Sequence, residues 1–320
     1  MDIIDSVDVD AWETFVTGSA QASFYHTPHW HKIVTCTFPQ FSMAAKKFVF
    51  EDGTCALMPL VKTEKGLLFK KKIRLKSGVL GVEGGIVANR KLSAEQENRI
   101  YRHLTDTRAS ITIITNPYAD YTLPDYFKIE NDFTLVIRLP GADQPPTINF
   151  SRGAKSNLKQ ARKNDLTVRT ARTVRDIDAY YSIYQDTLKR WGDRVLFTYP
   201  EKIFYEIFKL PEDLMKIWLV EQNGNIIAGA VIFYFNEIAS YWHASSLRKY
   251  FSCYPNNLLQ TEIIKDAAQK HKLYDMGRSG NQKGVEQFKK SLGAETFPLA
   301  NGVWKYRWQR KKTKQGRFGY

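Results

Sequence analysis

The hydrophobic pattern changes period in a fixed order along the second half of the chain. Ser151 is placed to cap a helix running to about Asn164, with Ala154, Leu158 and Ala161 as its apolar stripe. A second helix follows from Val174 to Arg190, with Ile177, Tyr181, Tyr184, Leu188 and Trp191 at helical spacing. A third opens after Pro200 and covers Glu201 to Phe208. The period then drops to two. Lys216–Glu221, Ile226–Phe235 and Ile238–Ala244 read as strands, and Asn223-Gly224 is a hairpin turn between the first two, so the three form an antiparallel meander. Pro255-Asn256-Asn257 opens a helix to about Lys270. A short strand at Lys272–Met276 and a strand at Phe297–Tyr306 complete the pattern, with a short helix between them.

The first half repeats this order more weakly. Helices at Val9–Thr17 and Pro28–Val34 precede a hairpin made by Ala44–Phe50 and Cys55–Val61 around Asp52-Gly53. Ser77 to Ala88 is rich in glycine. Ser93, with Gln96 three residues on, starts a capped helix to about Thr105, and strands follow at Ile111–Thr115 and Phe133–Leu139. The pattern predicts an α/β protein of two related lobes, residues 1–140 and 147–308, joined at the proline-rich Pro140–Pro146, with a basic tail at 309–320.

Composition narrows the class. With 43% hydrophobic residues among 320, the chain can bury a sizeable core. No apolar run approaches the about 18 residues that span a bilayer, and the acidic Met1–Asp5 is unlike a signal peptide, so a cytoplasmic location is expected. Three cysteines, Cys36, Cys55 and Cys253, show no metal-ligand spacing. The spacing of His26, His29 and His31 does not gather them on one helix face, so no metal is expected. A net charge of +14 points to anionic partners: nucleic acid, an anionic lipid surface or phosphorylated small molecules.

Part of that charge is organised. Arg152, Lys155, Lys159, Arg162 and Lys163 fall within an arc of ~100° on the first helix of the second half, with no acid among them. They are candidates for contact with a tRNA backbone, a nucleotide pyrophosphate or an anionic membrane. Arg190 either joins that set or serves its own helix C-terminus. Tyr274–Gly280 runs a short strand into a glycine-bracketed loop carrying Arg278, a place where α/β folds bind anions. Arg278 is split between ligand contact and an ion pair with Asp275. Tyr241 and His243, two apart on a strand, are expected on one face, with His243 either a general base or a hydrogen-bonded core residue. Asn256 and Asn257 are placed to cap a helix, and Asn256 is also a candidate ligand contact.

Helix, meander, helix and strand in this order resemble the GNAT acyltransferase fold. Four segments sharpen the likeness to Fem-type transferases: Ser151–Leu166, Tyr254–Leu259, Tyr274–Ser279 and Gly284–Ala294. Gly84–Ala88 is similar to a double-glycine segment of the same family. The resemblance implies two GNAT-like lobes, each a mixed, largely antiparallel sheet flanked by helices. It implies transfer from acyl-CoA or aminoacyl-tRNA to an amine or hydroxyl of a cell-envelope, peptidoglycan or exopolysaccharide precursor, without a metal. It also gives Lys289 a role at phosphate or at the tetrahedral intermediate, alongside Tyr241 and His243 as catalytic candidates. Relatives associated with cellulose and exopolysaccharide synthesis are the branch most similar in outline. On this view the partners are a phosphorylated acyl donor and an envelope or saccharide acceptor, with tRNA and the inner membrane face as further candidates. The pyrophosphate loop expected after the meander is replaced by Ser245–Phe251, which departs from the acetyl-CoA pattern. A non-catalytic polyanion-binding module and a small-molecule acetyl-CoA N-acetyltransferase are the competing readings.

Overall fold

The computed structural model describes residues 1–66, 71–140, 149–195, 197–280 and 282–306. The predicted proline-rich connection, beyond Pro140, and the basic tail fall outside the described residues. The first half comprises β1 (Asp2–Ile4), α1 (Val9–Thr17), α2 (Pro28–Thr37), β2 (Ser42–Met43), β3 (Lys46–Val49), β4 (Cys55–Met58), β5 (Val61–Lys65), β6 (Lys72–Ser77), β7 (Val87–Ala88), α3 (Ala94–Asp106), β8 (Ala109–Ile114) and β9 (Lys128–Arg138). The second half comprises α4 (Arg152–Ala161), β10 (Leu166–Thr170), α5 (Val174–Trp191), α6 (Glu201–Phe208), β11 (Met215–Gln222), β12 (Asn225–Phe235), β13 (Ile238–Ser246), α7 (Pro255–Ala267), β14 (Leu273–Asp275), α8 (Lys283–Ser291) and β15 (Glu295–Trp304).

The helix starts obey local chemistry. Ser93 and Gln96 form the expected reciprocal cap on α3, Thr173 and Asp176 do the same on α5, and the Ser151 hydroxyl accepts from Ala154 N on α4. On α7 the expectation fails. The N-cap is Tyr254, in the left-handed region (φ 53°), with Pro255 fixing the first turn, and Asn256 instead donates to Ser246 Oγ at 3.2 Å.

Two sheets form. One is a small sheet in the order β1-β3-β4-β7; the other runs through both halves as β10-β11-β12-β13-β14-β9-β15-β8-β6-β5-β2. All its pairs are antiparallel except β13 with β14 and β6 with β8. The halves therefore exchange strands. β9, from the first half, pairs with β14, while β15, from the second, lies between β9 and β8. The exchange satisfies edges that each half would otherwise leave open. The fold is mixed α/β, with largely antiparallel sheets flanked by helices.

Aromatic residues lock the halves across this sheet. Phe24 stacks on Phe233 of β12 with ring centroids 4.2 Å apart and planes within 6° of parallel, and both are fully buried. Tyr25 and Trp30 meet Phe233 edge-on, and Trp30 meets Trp242. Burying one such ring contributes about 1.5–3 kcal/mol. At the β12–β13 turn, Asn236 takes a positive φ and its amide reaches the carbonyls of Val16, Ser19 and Ala22, closing the end of α1.

Candidate active site

The site begins where two parallel strands stop pairing. β13 and β14 share three register positions, the last being Ser240 opposite Asp275. Beyond it, β13 continues along β12 to Ser246, while Met276 N turns away to donate to Leu135 O of β9 at 2.7 Å. Gly277 then takes φ 74°, where a side chain would be strained. A cavity of about 320 Å³ opens at the divergence. Its walls come from β13, from Asp275–Ser279, from α5 and the segment after it, from α8, and from the first-half loop Leu80–Glu83.

A bulge sets what β13 shows to the cavity. His243 pairs with Val231 and Tyr241 with Ile232, which leaves Trp242 as the extra residue. The simple alternation predicted for Tyr241 and His243 is thereby broken. Tyr241 packs with Tyr274 and Phe288 on one side of the sheet; Trp242 faces the Phe233 and Trp30 group on the other, with His243 among α5 and α6 rings beside it. His243 Nδ1 lies 2.6 Å from the Tyr180 hydroxyl, and Tyr184 sits edge-on at 4.6 Å. This enclosure pushes its imidazole down to about 3, so His243 stays neutral and holds protons weakly. It lines the cavity as a neutral hydrogen-bonding ring.

Lys289 is the buried residue of α8, only 4% exposed, while Phe288 is half-buried. Its Nζ donates to the carbonyls of Gly277 and Arg278, both at 3.0 Å, and lies 5.8 Å from the Tyr241 ring centre. Two of its three protons are thus spent, leaving one for the cavity. Burial lowers its ammonium to about 8, opposed by the nearby Asp275 carboxylate.

Asp275 is buried and heavily solvated by the protein. Thr134 Oγ1 donates to it at 2.5 Å, Gly277 N donates at 2.7 Å, and the Tyr118 hydroxyl donates to its other oxygen. Burial raises its pKa, and these donors oppose the rise. Of the two alternatives for Arg278, the ion pair with Asp275 does not form: Arg278 pairs with Asp132, through Nε at 2.8 Å and a second guanidinium nitrogen, and it lines the cavity.

The residue that sequence reasoning missed is Glu83. It is buried, lines the cavity from the first half and receives the Ser23 hydroxyl at 2.8 Å. Burial, and then the charge of Asp275, push its carboxyl up to about 8. Gly84 permits the placement: a Cβ there would lie 2.3 Å from Gly78 N. His26 anchors the same loop, with Nε2 2.9 Å from Gly84 O and Nδ1 facing Ser23. The available signal was a single acid inside the glycine-rich run 77–88.

Among the predicted residues, the cavity gathers Tyr241, His243, Arg278 and Lys289. The cations of α4, namely Arg152, Lys155, Lys159 and Arg162, are exposed on the outer surface and do not line it. α4 is nevertheless tied to the site, since Ser151 N donates to Ser291 O at the end of α8. Arg190 and Asn256 converge on Ser246, through its carbonyl and its hydroxyl, with Arg190 5.0 Å from the Phe251 ring. Among the described residues no helix is long and apolar enough to cross a membrane.

Residues 149–290 match the family model described as an acetyltransferase (GNAT) domain. No curated protein matches the chain. The fold is similar to that of FemX, with a TM-score of 0.69 at 13% identity, covering 94% of this chain and 97% of that one. It is also similar to L-PGS from Bacillus licheniformis (TM-score 0.56, 12% identity, covering 94% and 93%). A tandem GNAT protein from the clavulanic acid biosynthesis pathway aligns over 97% of this chain and 99% of its own, with a TM-score of 0.55 at 6% identity. The chain has a GNAT-like, tandem-lobed fold with an acetyltransferase-type domain in its second half, and together these findings support an acyltransferase.

Proposed function

We propose that this chain is an acyl- or aminoacyltransferase. It moves an acyl group directly from a thioester or aminoacyl-tRNA donor to an amine or hydroxyl of a cell-envelope or polysaccharide precursor. The observation that carries this reading is the split between β13 and β14 at Ser240 and Asp275, with the Lys289 ammonium held across the opening and Glu83 facing it from the other half. Strands parted in this way admit an extended acyl group beside unpaired backbone. The remaining N–H of Lys289 offers a fixed positive donor where oxyanion charge develops.

In this mechanism Glu83, whose pKa lies near the working range, takes the proton of the attacking nucleophile. Asp275, held by its three donors, favours the charged form of Lys289 across the opening. Tyr241 lies against Lys289 and fixes its position, and neutral His243 hydrogen-bonds the substrate. Arg278, balanced by Asp132, stiffens the loop that supplies the carbonyls to Lys289. The open face of α4, with Arg152, Lys155, Lys159 and Arg162, serves the phosphates of the donor, and Arg190 and Asn256 shape the Ser246 end. The lobes of this reading are residues 1–140 and 147–308, interleaved through β9 and β15.

The test is acyl transfer measured with CoA thioesters and with aminoacyl-tRNA, for the unaltered chain and for Lys289→Ala. Loss of one stabilising donor should lower kcat by about 10²–10³. Equal turnover in both proteins removes Lys289 from the mechanism, and no transfer from either donor class removes the proposal.

A further inference from the structure

The cavity carries polar groups that nothing among the described residues satisfies. The Ser240 and Ser279 hydroxyls and the Trp242 indole N–H are buried without a partner among the described residues, and all three residues line this cavity. A buried unpartnered donor costs about 1–3 kcal/mol. Three on residues lining one hollow are candidate contacts for a ligand's oxygens. The wall beside them is aromatic: Tyr199 and Trp242 lie with ring centres 4.8 Å apart, and Tyr184 and Phe197 extend the surface.

The charges facing the same space are already matched. Arg278 is engaged by Asp132, and Asp275 by Thr134, Tyr118, the Gly277 amide and the nearby Lys289. Lys289 has given two protons to carbonyls. Glu83 has no cation within ion-pair distance among the described residues, and burial favours its neutral form. A charged acceptor would therefore enter a site with little spare counter-charge. A neutral molecule with several hydroxyls and one apolar face would satisfy every orphan donor.

We propose that the acceptor is a pyranose unit, lying against Tyr199 and Trp242 with its hydroxyls on Ser240, Ser279 and Glu83. This rests on the acyltransferase reading and narrows its acceptor to a sugar hydroxyl. In the transfer, a sugar oxygen bonds to the acyl carbon and its proton passes to the Glu83 carboxylate. The bond from the acyl carbon to the donor's sulfur or ribose oxygen breaks, and the departing thiolate or alkoxide regains a proton, so the product is an ester.

The full chain is given acetyl-CoA or aminoacyl-tRNA together with equal amounts of methyl glucopyranoside and glycinamide. Products are read by mass before and after alkaline hydroxylamine, which cleaves esters and spares amides. Thermal shift with methyl glucopyranoside alone reads binding apart from chemistry. The expected result is a hydroxylamine-labile sugar ester exceeding the amide at least about tenfold. Ser240→Ala and Ser279→Ala should each raise the KM for the sugar about tenfold, the equivalent of one hydrogen bond, and leave the donor's KM in place. Neither change should lower Tm, because each removes an unsatisfied hydroxyl, so loss of fold does not confound the reading. Predominant amide product overturns the sugar assignment and leaves acyl transfer standing. Sugar binding without transfer from either donor overturns acyl transfer and keeps the recognition. Neither binding nor product overturns both.

Discussion

Glu83→Gln should make the protein more stable at high pH and less active at the same time. The ordinary glutamate value is 4.5, and Glu83 is held at about 8 because it is buried and faces Asp275. Its folded pKa lies above its unfolded one, so between these values the folded state binds the extra proton. The stability tied to that proton is fully present below pH 4.5 and is lost as pH rises through about 8. At 1.36 kcal/mol per pKa unit, moving from about pH 5 to about pH 9 would remove up to about 4 kcal/mol. Part of that penalty belongs to repulsion shared with Asp275, so glutamine should recover about 2 kcal/mol at the alkaline end. Its carbonyl still accepts the Ser23 hydroxyl, and it never needs a proton. Thermal unfolding of both proteins across this range checks the sum. The curves should meet near pH 5 and separate by several degrees near pH 9. Without a carboxylate to take the proton, turnover should fall about 10²–10⁴-fold. Tm profiles that stay parallel across the whole range would refute the assignment of Glu83 as a buried, proton-holding carboxyl.

Other outcomes follow from the same geometry. The pH profile of kcat/KM should be a narrow bell near pH 8. Glu83 must lose its proton and Lys289 must keep its own, and both are held at about 8; Lys289→Arg should move the alkaline limb upward, and an unmoved limb denies that lysine the role. If the donor is aminoacyl-tRNA, reversing Arg152 and Lys159 to glutamate should weaken tRNA binding and flatten the plot of log affinity against log salt by about 2 units; filter binding over a salt series measures this. Phe233→Ala, which removes the ring stacked on Phe24, should cost about 3–5 kcal/mol in denaturant unfolding and lower activity only through loss of folded protein.

The parts of this fold that were legible in the sequence are those governed by neighbours along the chain. The meander of β11, β12 and β13 announced itself through Asn223-Gly224 and a long apolar run, and the caps of α3 and α4 through Ser93 and Ser151. Lys289 received its role at phosphate or the tetrahedral intermediate through family likeness. Its burial depends on two carbonyls of the Gly277 loop, which no periodicity along α8 can display. The bulge at Trp242 inverted the alternation expected of Tyr241 and His243, because one extra residue flips every later side chain. β6 passed unread, its Lys72, Arg74 and Lys76 alternating with Ile73 and Leu75 in a segment dominated by charge. Glu83 was invisible for a different reason. A single acid in a glycine run reads as a solvated turn until tertiary packing encloses it.

The placement of β15 bears on how the chain is made. Nascent chain emerges from the amino end, so β8 and β9 leave the ribosome long before the strand destined to lie between them. Until residues 295–304 arrive, the earlier half has a slot with unpaired backbone on both sides, open to wrong strands from the same or another molecule. Closure therefore waits for β15 to emerge, and a ribosome stalled before residue 295 should yield a first half vulnerable to protease.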